Sequence, residues 1–327
     1  MSAESTAPQT KRQLLAENEL HPALPATAFT VLQRQVAGTV AGRLHSPDYL
    51  TKRALLAALY PPRDPKQREA TPDTVASLTP DDVTAYYRRV FRPDLTTIVV
   101  IGRTTPEQAK DLVEKYLGSW ESHGNKPETD LPPVPANKPS MASVPDASRV
   151  QDQVTLAEMM GITRISPDYY KLVLGNHVLS GAFYASRLYH DLREKAGLVY
   201  TVNSFIEAKK TRSLFGVFFA CDPPNVGKAR TLVERDLRKM QTAPVTPTEL
   251  RRAKILLIRQ LPLSEASMES IALGMLSRSQ EDLPLDEPVR AAALYLKFTD
   301  RQVQKAFARW IRPDGFVQVT LGPNAGP

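Results

Sequence analysis

The chain carries an internal repeat, and that repeat restricts its fold more than any other feature. Thr79-Pro80-Asp81-Asp82-Val83 opens a segment running through Tyr86, Tyr87 and Val90 to Arg92-Pro93-Asp94, then to Ile98-Val99-Val100-Ile101-Gly102. Thr299-Asp300-Arg301-Gln302-Val303 opens another, through Ala306, Phe307 and Trp310 to Arg312-Pro313-Asp314 and Val317-Gln318-Val319-Thr320-Leu321-Gly322, at a constant offset of 220. Upstream the likeness continues at an offset of 221. Phe29 with Gln33 matches Leu250 with Lys254, and Ser46, Leu50, Ala54 and Leu55 match Ser267, Ile271, Met275 and Leu276. Self-similarity in conserved order over about seventy residues marks a duplication. Each copy predicts the same local structure. Threonine caps a helix, apolar residues recur at helical spacing, and Arg-Pro-Asp ends it, because proline disfavours helix at the residue before it. A β-branched strand follows and stops at glycine.

The duplication sets the domain plan. Pro127, Pro132, Pro133, Pro135 and Pro139 crowd a stretch too proline-rich for a helix or a central strand. Residues 121–145 are therefore read as a linker, 1–120 as the later part of a first domain, and 146–327 as a complete second domain. The offset places the beginning of the first copy about seventy residues before Met1, so the first domain is expected to be incomplete. In the second, strands are predicted at 148–158, 199–208, 213–221 and 316–321. Helices are predicted at 168–179, 183–195 and 225–241, with a further one capped at Thr246. The first domain is expected to keep a strand at 95–102. Strands and helices do not alternate as in a doubly wound sheet. The fold class is α+β: two tandem homologous sandwich domains, each a mixed or antiparallel sheet covered by helices.

Composition excludes several functions. The 327 residues hold one cysteine, Cys221, so there is neither an internal disulfide nor a cysteine-based zinc site. Fifteen glycines and the lack of GxGxxG, phosphate-loop and GxSxG patterns remove the usual support for nucleotide binding and triad hydrolysis. No apolar run has the ~18 residues of a membrane span. Met1–Gln13 is polar and shows no secretory leader; the compartment is unassigned, and would be periplasmic if a natural N-terminus is missing. The net charge of +7 suits an acidic partner, but the bases are interspersed with acids. Lys209-Lys210-Thr211-Arg212 reads as a soluble hairpin tip rather than a nucleic-acid contact, since no aromatic ladder accompanies it. The histidines form neither HxxEH nor its inverse. His190 and Glu194, four apart on a helix, could share a metal, but a solvated polar pair is the simpler reading.

One segment carries chemistry. In Ser186-Arg187-Leu188-Tyr189-His190-Asp191-Leu192-Arg193-Glu194-Lys195-Ala196-Gly197-Leu198-Val199-Tyr200, a glycine turn brings Arg193, in a helix's last turn, towards Tyr200, at the start of a strand. A fixed guanidinium can hold peptide carbonyls or a carboxylate, and a phenol can donate to a developing oxyanion. A surface arginine beside a core tyrosine is the bland alternative.

These residues also carry a resemblance. Asn176, Val178-Leu179-Ser180-Gly181, Phe183 and Ser186-Arg187-Leu188, followed by Leu192-Arg193-Glu194-Lys195, Gly197-Leu198 and Tyr200, resemble the second domain of the insulinase/pitrilysin metallopeptidases, which include mitochondrial processing peptidase. Tyr60-Pro61-Pro62-Arg63-Asp64-Pro65, Thr71-Pro72 and Leu78-Thr79-Pro80-Asp81-Asp82-Val83 resemble the later half of that family's first domain. The resemblance implies paired α+β domains around a proteolytic chamber, with Arg193 and Tyr200 as substrate-binding residues. The family's HxxEH zinc motif lies early in its first domain, in a stretch this chain lacks. Its third zinc ligand, a glutamate, would fall in Phe29–Val40, which contains no acid. The expectation is thus a chain with no catalytic or metal residue of its own. It would be a non-catalytic, substrate-binding subunit or fragment that offers Arg193 and Tyr200 to a zinc-bearing partner, or within a homo-oligomer, with zinc held by the partner or by the missing N-terminal part. Alternatives are the C-terminal part of an active zinc peptidase and a scaffold homologue without substrate.

Overall fold

The structure, a computed structural model, describes residues 8–323. They group into two compact units. The first comprises 8–42, 70–129 and 267–276; the second comprises 43–69, 130–266 and 277–323.

The second unit is built on one five-stranded sheet. β1 (Ser140–Pro145), β2 (Asp152–Met160), β3 (Val199–Ala208), β4 (Ser213–Cys221) and β5 (Val317–Gly322) lie in the order β1-β5-β2-β4-β3. β1 runs parallel to β5, and the remaining pairs are antiparallel, so the sheet is mixed. The predicted 199–208 and 213–221 strands coincide with β3 and β4. β2 starts later than predicted, because Asp146 takes the amides of 148 and 149 into a turn. Ser140–Pro145, at the end of the proline-rich stretch, is an edge strand, where proline at the last position costs no ladder bond.

Alternation along the strands sorts two cores. Val154, Leu156, Phe215, Val217 and Phe219 face helices Tyr169–Asn176, Val226–Thr242 and Asp300–Trp310, whose Leu172, Leu174, Val233, Leu237, Val303 and Phe307 are fully buried. Each such side chain contributes about 1.5–3 kcal/mol by leaving water. On the other face Ala157, Met159, Val317 and Val319 meet Leu59, with Leu55 and Ala58 beside it, from helix Pro47–Leu59. That helix covers β1, β5 and β2, while Thr201, Asn203 and Glu207 of β3 are exposed.

The first unit holds helices Pro8–Leu20, Ala26–Arg43, Pro72–Ala76, Pro80–Val90 and Pro106–Leu117. Its described residues form no strand, which corrects the expectation for 95–102. Residues 96–101 run past the 3₁₀ turn Pro93–Leu95 without a ladder. β-branched sequence alone does not make a strand; backbone partners do. Ile98, Val100 and Ile101 stay exposed and line a cleft of about 510 Å³ with Leu15, Leu112 and Tyr116.

The repeat is legible in the element boundaries. Ala26–Arg43 and Pro47–Leu59 correspond to Pro247–Ser264 and Met268–Gln280 at the offset of 221. Pro80–Val90 and Pro93–Leu95 correspond to Asp300–Trp310 and Pro313–Gly315 at 220.

Candidate functional site

Arg193 lies on Tyr189–Lys195, a turn wound as π-helix, a local form often found at functional sites. Gly197, at φ 62°, ends it in a left-handed conformation that a side chain would strain, and Leu198 N–H closes back onto Leu192 O at 2.9 Å. The chain therefore doubles back directly into β3.

The start of β3 is irregular for a reason visible in its core residues. Val199 and Val202 both enter the helix-side core, although residues three apart on a regular strand face opposite sides. A bulge reconciles them: Val199 pairs with Cys221 and Thr201 with Ala220, leaving Tyr200 as the extra residue. Tyr200 and Thr201 are consequently both exposed. Tyr200 is half exposed, and its hydroxyl donates to Asp222 Oδ1 at 3.1 Å and Oδ2 at 3.3 Å. That hydrogen bond, and then the charge of Asp222, raise the phenol's pKa above its ordinary value.

Arg193 is exposed as well. Its Nη1 donates to the Val199 carbonyl at 3.4 Å and to the Tyr200 carbonyl, and its guanidinium stands 5.8 Å from the centre of the Tyr189 ring. Among the described residues its hydrogen bonds go to carbonyls rather than to a carboxylate. The two residues singled out by sequence are therefore neighbours at one end of an edge strand, both open to solvent. Asp222 was missed. The available signals were the Val199/Val202 spacing, which requires a bulge, and the acid that directly follows β4.

The other candidates are accounted for locally. Arg187 makes a two-pronged pair with Glu249, at 2.7 and 2.8 Å. Burial disfavours charge on Glu249, but Arg187 and the Thr246 amide outweigh it and hold the carboxyl down at about 2. His190 Nδ1 lies 2.6 Å from Glu194 Oε2, both half exposed, so each is the other's partner. In the basic turn, Lys209 pairs with Glu281 at 2.9 Å, Lys210 with Asp282 at 2.8 Å, and buried Arg212 with Asp64 at 2.9 Å. Its charge is thus largely balanced within the unit.

Among the described residues, no set of side chains fits a zinc ion. No group of three or more His, Cys, Asp or Glu side chains among the described residues could hold a metal. In helix Ala26–Arg43, Gln33 spends its amide on the carbonyls of Val75, Ala76 and Leu78, at 3.0, 3.0 and 2.8 Å. No helix among the described residues is long and apolar enough to cross a membrane.

A mixed sheet with helices on both faces carries the exposed Arg193 and Tyr200 at the start of its edge strand β3. Residues 77–257 match the family described as the peptidase M16 inactive domain, and the chain belongs to that metallopeptidase family. Over 200 residues it is 26% identical to an uncharacterized zinc protease of Bacillus subtilis, covering 61% of this chain and 47% of the relative. A probable inactive metalloprotease of the same organism is 22% identical over 217 residues, covering 66% and 50%. The chain thus spans about half the length of these curated relatives. A crystal structure of a peptidase M16 inactive domain from Pseudomonas fluorescens shares the fold with a TM-score of 0.84 at 22% identity, over 98% of this chain and 77% of that one.

Proposed function

We propose that this chain is the non-catalytic, peptide-binding part of an insulinase-like zinc peptidase. Zinc and its activated water belong to a partner subunit, or to a zinc-bearing part of a longer protein; Arg193 and Tyr200 meet the peptide. One observation carries the reading: both side chains are exposed at the start of β3, where Arg193 also holds the backbone carbonyl of Tyr200. The role of Arg193 follows from its chemistry, since a guanidinium has donors left after two carbonyl bonds and can hold peptide carbonyls. The kinship with a zinc protease of about twice the matched length favours a longer polypeptide as the second reading.

The test begins with the purified chain, assayed for zinc content and for cleavage of a peptide library. No stoichiometric zinc and no cleavage are expected. Mixed with a zinc-bearing M16 subunit, the chain should support cleavage, and Arg193→Ala should raise KM more than it lowers kcat, because the contact holds ground and transition states alike. A tightly bound zinc with chelator-sensitive cleavage by the chain alone would overturn the proposal. Normal turnover by both Arg193→Ala and Tyr200→Phe in the reconstituted pair would do the same.

A further inference from the structure

A phenol has one proton to give and two lone pairs to offer. At the end of β3 that proton is committed: Tyr200 Oη–H points to Asp222, within 3.1 and 3.3 Å of its two carboxylate oxygens. What remains on the solvent side of Oη is acceptor capacity, next to a carboxylate. A carbonyl or oxyanion approaching it would meet lone pairs and the acidic side chain. An N–H group would meet an acceptor. At the same end of the strand Arg193, bound to the backbone carbonyls of Val199 and Tyr200, presents the opposite polarity.

We infer that Asp222 is a positioning residue that turns Tyr200 into a hydrogen-bond acceptor, so that the Arg193–Tyr200 pair reads a peptide by one carbonyl, at Arg193, and one N–H, at Tyr200. The N–H comes from a backbone amide or from the peptide's free ammonium end. This inference rests on the reading that Tyr200 contacts peptide, and it reverses the hydrogen-bond direction that an oxyanion donor would use. The bulge makes it possible. Without the extra residue at 200, regular alternation would place either Tyr200 or Val202 on the wrong face, and the phenol would lose its line to Asp222, which directly follows β4.

The test measures binding of dye-labelled decapeptides to the full chain by fluorescence anisotropy. One series replaces single backbone amides by esters, which deletes one N–H while keeping the shape of the chain. A second series acetylates the N-terminus. Wild-type chain should lose about tenfold in affinity for one ester position, or for the acetylated terminus, and the two series separate those sources. Tyr200→Phe should bind the parent about tenfold more weakly and become indifferent to the same replacement. In ¹³C-tyrosine NMR titrations, Asp222→Asn should lower the Tyr200 pKa towards its ordinary value, a readout that mere packing would not move. The inference is overturned if every ester is tolerated while carbonyl-deleting reduced amides lose Tyr200-dependent affinity, or if Asp222→Asn leaves the Tyr200 titration unchanged. Either result spares the peptide-binding reading. If no parent peptide binds, that reading falls, and the inference falls with it.

Discussion

Thr79 and Thr299 each cap a helix of eleven residues through a reciprocal box, with Asp82 in one copy and Gln302 in the other returning the bond to the cap's own amide. In both copies a single residue, Phe91 or Ile311, separates the helix from an Arg-Pro-Asp or Arg-Pro-Asp-Gly turn of 3₁₀ form. Even a remote brace is shared. Gln33 reaches the carbonyls of Ala76 and Leu78, and Lys254 reaches those of Leu296 and Phe298, the equivalent positions at the offset of 220. After the turn the copies diverge. Val317–Gly322 pairs on both sides, with β1 and β2, and is buried throughout; residues 96–101 pair with nothing and expose Ile98, Val100 and Ile101. The two arginines follow the same division. Arg312 is tied to Glu158 of β2 at 3.0 Å. Arg92, without such a strand, folds onto its own Asp94 at 2.8 and 2.7 Å and onto the carbonyls of His123, Gly124 and Asn125. Helix, cap and turn are local products of sequence, whereas a strand is a property of its neighbours.

The sharpest way to break the comparison is to place proline at matched positions. Val319 is fully buried in the centre of the sheet, where proline removes a ladder hydrogen bond and forces the neighbouring strands apart. Val319→Pro should cost more than about 3 kcal/mol and leave the second unit largely unfolded. Val99→Pro, in the copy without a ladder, should change stability by less than about 1 kcal/mol. Urea denaturation with residue-resolved hydrogen exchange separates the two. An equal loss for both would mean that 96–101 is paired in solution.

The same division explains what could be read from sequence. β3 and β4 were legible to the residue because both are runs rich in β-branched and aromatic residues and a polar turn, Lys209-Lys210-Thr211-Arg212, joins them. The capped helices were legible because threonine, the N3 side chain and the apolar spacing agree. The strand expected at 95–102 was not realised, since its β-branched run reports propensity but not partners. β1 was hidden by prolines that an edge position tolerates. At the site, Arg193 and Tyr200 could be placed by motif and by the glycine turn. Asp222 could not, because its approach to Tyr200 depends on strand pairing and on a bulge that only the packed core enforces.

A second effect has opposite signs in the two copies. Glu158 is wholly buried; burial lifts its carboxyl to about 7 despite the amide and guanidinium of Arg312. The native state then keeps a proton that the unfolded chain releases near 4.5. Stability should fall as pH rises from 4.5 to 7, by about 3 kcal/mol, and level off above that. Asp94 behaves inversely: the hydrogen bond from Arg92 holds it below the ordinary carboxylate value, so its stabilisation is present at neutral pH and fades in acid. Glu158→Gln should flatten the slope between pH 4.5 and 7 while preserving the fold. A slope unchanged in that variant would assign the titration to another group.

The smallest effect should be equal in the two copies, which is what makes it informative. Thr79 accepts from Asp82 N–H at 3.2 Å, and Thr299 accepts from Gln302 N–H at 3.3 Å. Removing either hydroxyl leaves one helix-end amide to water, at a cost of about 1 kcal/mol. Copy one has the stronger return bond, since the carboxylate of Asp82 accepts from Thr79 N–H at 2.8 Å and also favours the positive end of the helix. Thr79→Ala therefore leaves part of its cap in place, and Thr299→Ala leaves a neutral amide doing the same at 2.9 Å. The two losses should agree within about 0.5 kcal/mol when each is read by hydrogen exchange in its own helix. If Thr299→Ala costs several times more than Thr79→Ala, the helix of the second copy draws its cap strength from the sheet beneath it, and helix formation is less local than the repeat implies.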